Sequence, residues 1–114
     1  MTAIRQHHQE LFYFEGEKPK ALTTRFIDDA GALDITFSAA TLVAKFSIDG
    51  AAQPDVAMTN NANGTGTINW PTGTSPFVVA AGKTESTGSI DVQATQGANV
   101  WFPTSFTFPI VKRV

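Results

Sequence analysis

The chain has 114 residues, enough for one domain with a single core and too few for two. Eight basic against ten acidic residues leave a net charge of -2, with no electrostatic footprint for nucleic acid or an anionic membrane, and the lack of cysteine excludes disulfides, thiolate nucleophiles and Cys-based zinc sites. No run approaches the ~20 apolar residues of a membrane-spanning helix, and residues 1–10, polar and carrying Arg5, His7 and His8, lack the apolar stretch of a secretory signal, so synthesis in the cytoplasm is expected.

Residues 1–9 read as a polar, flexible N-terminal arm, and 10–114 as one β domain. Leu11, Phe12, Tyr13 and Phe14 form the first apolar cluster, a short strand that ends where Glu15, Gly16, Glu17, Lys18 and Pro19 break the pattern. Leu22, Thr24 and Phe26 then alternate with Thr23, Arg25 and Ile27 up to the turn Asp28-Asp29-Ala30-Gly31. Leu33, Ile35 and Phe37 read as a half-buried strand, and residues 41–48 are the cleanest alternation, closed by Asp49-Gly50, a strong hairpin signal.

A weaker strand around Val56 precedes Asn60-Asn61-Ala62-Asn63-Gly64, a loop rich in residues that tolerate positive φ, and 65–70 form the return strand. After a Pro- and Gly-rich loop, Phe77-Val78-Val79 pairs or packs briefly. A long strand is expected over 87–95, a turn at Gln96-Gly97-Ala98-Asn99, then Val100-Trp101-Phe102, a break at Pro103 and a last strand over 105–113 with Phe106, Phe108 and Ile110 inward. No segment holds a 3.6-residue period for three turns. Short strands at intervals of roughly 8–12 residues predict an all-β, immunoglobulin-like antiparallel β-sandwich of about eight or nine strands, with a jelly roll or small barrel as the alternative.

Little is left for chemistry. His7 and His8 are adjacent, so in extended backbone they point apart and cannot share a compact metal site. Asp28, Asp29 and Asp34 lack the ligand spacing of a calcium loop and are favoured turn residues. Gly64-Thr65-Gly66 has no following Lys-Ser/Thr and no helix, which separates it from a phosphate loop, and Asn63-Gly64-Thr65 is a glycosylation pattern without a secretory signal. No catalytic residue, metal ligand or cofactor site is expected, and the chain does not read as an enzyme. Tyr13, Trp70 and Trp101 are the candidates for stacking on a sugar, with core packing as the competing use. Leu11, Phe12, Tyr13 and Phe14 are the candidate subunit interface, because consecutive large apolar side chains in a strand point to both faces.

The order of these motifs resembles a known phage module. Gly16-Glu17-Lys18-Pro19, a strand from Ala21, the turn Asp28-Asp29-Ala30-Gly31, Leu33-Asp34-Ile35 and Thr41-Leu42-Val43-Ala44-Lys45-Phe46 look like the opening of the phage baseplate upper protein N-terminal domain and its relatives among minor tail proteins. Asn63 to Trp70, Ala80-Ala81-Gly82-Lys83, and Phe102-Pro103 followed by Phe106 to Val111 are similar to its second half; Ile35 stands where the family has Leu, and Thr84 where it has an aromatic.

The resemblance spans residues 14–113 and implies an Ig-like sandwich acting as a non-enzymatic structural subunit of a tailed-phage virion, made in the host bacterial cytoplasm. It further implies other virion proteins as partners and a homo-oligomer, trimer or hexamer, in the particle, with no nucleic acid or membrane partner. Larger members add C-terminal segments that carry receptor-binding proteins, so for this sequence an accessory, joining or decorating role in tail, baseplate or head-to-tail region is expected. A carbohydrate-binding module for host-surface glycans is the alternative.

Overall fold

The computed structural model describes residues 11–113. It is all β: β1 (Tyr13–Phe14), β2 (Leu22–Arg25), β3 (Thr41–Ile48), β4 (Ala51–Ala52), β5 (Val56–Asn60), β6 (Thr65–Asn69), β7 (Glu85–Gln96) and β8 (Asn99–Val111). Where two separate antiparallel sheets were expected, all eight strands hydrogen-bond into one mixed sheet. Its order is β1-β8-β7-β3-β5-β6-β2, with β4 beside the end of β3. The mixed character comes from β1, which runs parallel to β8.

The three long strands follow from period-2 patterning. Leu42, Ala44, Phe46 and Ile48 of β3 are buried and alternate with residues that reach the surface; Ile90, Val92 and Ala94 of β7 and Phe106, Phe108 and Ile110 of β8 continue the same inner face. Cross-strand pairs bring Phe46 opposite Ile90 and Ile90 opposite Phe106. Two-residue hairpin turns join β3 to β4 and β7 to β8. Asp49 and Gly50 both have positive φ (50° and 83°), as a type I′ turn requires, whereas Gly97 alone is positive (61°) in the II′ geometry that joins β7 to β8.

Strand β8 passes through Pro103 instead of breaking there. The register slips between Val92 and Ala94 of β7, so Phe102 and Pro103 share one β7 residue, Gln93, and the missing N–H falls in a bulge. Residues 33–37 also differ from expectation. Only an isolated bridge, Ile27 to Leu33, forms there, because the backbone is used in turns: Ser38 N–H donates to Ile35 O and Ala40 N–H to Phe37 O. Leu33 and Ile35 are exposed, and only Phe37 turns in.

The sheet curls strongly. Five strand steps separate β1 from β6, about 24 Å in a flat sheet at about 4.8 Å per step, yet the Tyr13 ring of β1 lies 5.8 Å from that of Trp70, the residue after β6. Two connections fill the open side of this half-barrel. At one end, Phe77 stacks on Tyr13 at 4.3 Å and packs against Phe46, Trp70 and Phe108. At the other, Phe37 bridges Phe26 and Trp101 edge-on. Asn60 ties the second connection down, its side-chain N–H groups donating to Phe37 O and Ala40 O at 2.8 Å each. The outer face is hydroxyl- and amide-rich, with Thr23 against Thr67 and Asn69 donating to Thr59.

Candidate functional site

The first strand is short for a stereochemical reason. Val111 O accepts the Glu15 N–H at 2.8 Å, so Val111, and Pro109 two residues before it, turn their backbone polar groups toward β1. Pro109 has no N–H to give, which ends the pairing before Tyr13. On the far side a turn closes β1 immediately: Glu17 N–H donates to Phe14 O at 3.0 Å and Gly16 sits at φ 82°, the left-handed position of a type II turn.

The two glutamates of that turn hold the strand in place. The Glu17 carboxylate accepts the Phe14 N–H at 2.9 Å, and that of Glu15 accepts the Val79 N–H at 3.0 Å. Gly16 N–H donates to Phe77 O, and Ser75 Oγ donates to Glu17 O. Strand β1 is thus clamped between β8 and the 77–79 segment.

Alternation then separates the four candidate interface residues. Leu11 is half-buried against the core and Tyr13 is buried, whereas Phe12 (49% exposed) and Phe14 (42%) project from the outer face with their rings edge-on at 5.4 Å. Phe14 stands beside Val111 in the register, and Phe12 therefore beside Pro109, so four apolar side chains share this corner, with Glu85 beyond Val111 and Lys112 and Arg113 exposed after it. Val78 is exposed on the neighbouring segment.

Of the three candidate sugar-stacking residues, Tyr13 and Trp70 lie in the core, each less than a tenth exposed, and a buried ring offers no face to a sugar. Burial pushes the Tyr13 phenol above its ordinary value, the Trp70 indole acting against the rise and the Glu17 carboxylate adding to it. The Trp70 Nε1–H makes no hydrogen bond of ordinary geometry; the polar group that acts on it is this phenol. Trp101 is half-buried, its ring edge-on to Phe37 at 5.5 Å. The structure does not bring the three together as a platform.

The acidic turn residues are occupied by their own backbone. Asp28 Oδ1 accepts the N–H groups of Ala30 and Ala32, and Asp34 Oδ1 that of Thr36; the Thr36 hydroxyl first and this N–H second hold the Asp34 carboxyl below its ordinary value. Asn63 accepts both the N–H and the hydroxyl of Thr65. Among the described residues no three His, Cys, Asp or Glu side chains converge as metal ligands; His7 and His8 lie outside the described residues.

One feature was not visible in the sequence. Between β4 and β5 the chain leaves β3 at Gln53-Pro54-Asp55, and with the 71–76 loop it walls a cleft of about 210 Å³ lined by Phe46, Pro54, Asp55, Val56, Pro71 and Pro76. Asp55 pairs with Lys45 at 2.9 Å on its rim. The prolines were the only signal, and they come from two distant loops. No protein-family model, curated protein or solved structure matches this chain.

Proposed function

We propose that the chain is a non-enzymatic structural subunit of a tailed-phage virion, a tail, baseplate or head-to-tail accessory that works by protein–protein assembly. The observation that carries the assembly reading is the pair Phe12 and Phe14, roughly half exposed and held in contact on a strand that is itself fixed from both sides. A rigid exposed aromatic pair beside Val111 and Pro109 is what interfaces enrich, and it carries no ordering cost on docking. The virion reading adds the ordered motifs of residues 14–113 that resemble the baseplate module. In the same reading, the curled sheet is the family's Ig-like sandwich made from one continuous sheet, its two ends folded into facing layers by the contacts of Tyr13 with Phe77 and Trp70.

Peptide mass spectrometry of gradient-purified tailed particles, from cells in which this chain is produced during infection, tests the reading. The chain should travel with the particles, at a copy number that is a multiple of three. Recovery only from the soluble fraction would sink the virion assignment.

A further inference from the structure

We propose, resting on the reading of the β1 corner as an assembly surface, that the Phe12–Phe14 pair of one copy docks into the proline-walled cleft of a second copy, joining chains head to tail.

The cleft has room for one ring of the pair. A cavity of about 150 Å³ is enough to admit a benzene ring, so a cleft of about 210 Å³ takes one of the two phenyl groups, with the other left against its rim. The two surfaces match in chemistry as well. Pro54, Pro71 and Pro76 have no N–H to leave unpaired when an apolar ring covers them, and Val56 and Phe46 complete an apolar wall. Their rims can exchange ion-pair partners: Lys112 and Arg113 follow Val111 at the aromatic corner and make no ion pair among the described residues, while the exposed Asp55 at the cleft, paired with Lys45 at 2.9 Å, can turn to them. Lys45, which Asp55 now holds, gains a second acid in Glu85, the residue paired with Val111. Both partners are preformed, since β1 is clamped by Glu15 and Glu17 and the cleft is bounded by prolines.

Corner and cleft are different surfaces of the same chain, so the contact is heterologous, and a heterologous contact that closes makes a ring rather than a two-fold dimer. The trimer or hexamer of the virion reading is a ring of this kind.

The test is native mass spectrometry across a concentration series with three chains: wild type, the corner variant Phe12→Ser/Phe14→Ser, and the cleft variant Thr74→Trp, which places an indole at an exposed position on the cleft wall. Wild type should form a ring, each variant alone should be a folded monomer with a cooperative melting transition, and an equal mixture of the two variants should form a one-to-one heterodimer, because one still has the cleft and the other still has the aromatic pair. A cleft variant that assembles like wild type, a mixture that stays monomeric, or a wild type that never self-associates would each overturn the docking. Particle association remains a separate observable, so failure here is distinguishable from failure of the virion reading. Should Thr74→Trp not fold, Arg113→Glu should weaken self-association at least tenfold and Asp55→Lys combined with it should restore it; no restoration would also overturn the proposal.

Discussion

The two edges of the curled sheet are built on opposite plans. Strand β2 ends the sheet on one side with Thr23 and Arg25 exposed and Lys20 just before it, and none of the large exposed apolar side chains belongs to it. Basic side chains along an edge discourage further pairing. Beyond Arg25, Asp34 N–H bonds Phe26 O and covers the continuation of that edge. Strand β1 ends the other side with its backbone sealed by Glu17 and the 77–79 segment, but with an aromatic pair facing solvent. One edge is protected by charge and left alone. The other is protected against strand addition yet apolar in its side chains, so it offers a partner side chains and no free backbone.

The largest expected effect separates the two edges by stability. Tyr13→Ala removes the ring that Phe77 stacks on and should cost about 3–5 kcal/mol in urea unfolding, against about 0.5 kcal/mol or less for Arg25→Ala. Equal costs would contradict the different construction of the two edges. Gly88→Ala comes next: a Cβ there would sit 2.6 Å from Cζ of Phe108, the ring beneath Tyr13, and should cost about 1–3 kcal/mol. Gly73, with open space around it, is the control and should tolerate alanine with little change.

Smaller effects appear on titration. The buried Tyr13 phenol titrates above its ordinary 10.0, so the stability it adds is complete below pH 10.0 and is lost as pH rises through the higher folded value. Tyr13→Phe should remove that part of the alkaline fall in melting temperature, and an unchanged alkaline limb would contradict the assignment. Asp49 behaves oppositely. The Thr87 N–H first, then Ser86 and Lys83, hold its carboxyl below the usual 3.8, so its contribution is present above 3.8 and lost as pH falls through the lower folded value. Asp49→Asn should flatten the acid limb of the same melting profile. Phe14→Ser should change stability by under about 1 kcal/mol, because close to half of the residue is already exposed, although this variant should lose self-association.

Much of the sheet was legible because β3 and β7 alternate cleanly and Asp49-Gly50 and Gly97 mark their turns. Leu33, Ile35 and Phe37 show the same alternation but do not make a strand, since Asp34 and the carbonyls of Ile35 and Phe37 bind their own neighbours. Pro103 reads as a break, yet a bulge absorbs it without ending β8. The single curled sheet was hidden for a different reason: β1 has two residues, too few to show a period, and its partner β8 lies at the far end of the chain. Of the site, the special status of residues 11–14 was readable from four consecutive large side chains, but which of them face out depended on the β8 register. The burial of Tyr13 and Trp70 follows from the curl, and the cleft depends on two loops that only the fold brings together.

The decisive measurement is the solution mass of the pure chain from micromolar to millimolar concentration, taken beside Phe12→Ser/Phe14→Ser. The prediction is a closed trimer or hexamer for wild type and a folded monomer for the variant; a wild-type chain that stays monomeric throughout, or a variant that assembles as wild type does, would contradict the assignment of the β1 corner as the surface by which copies join.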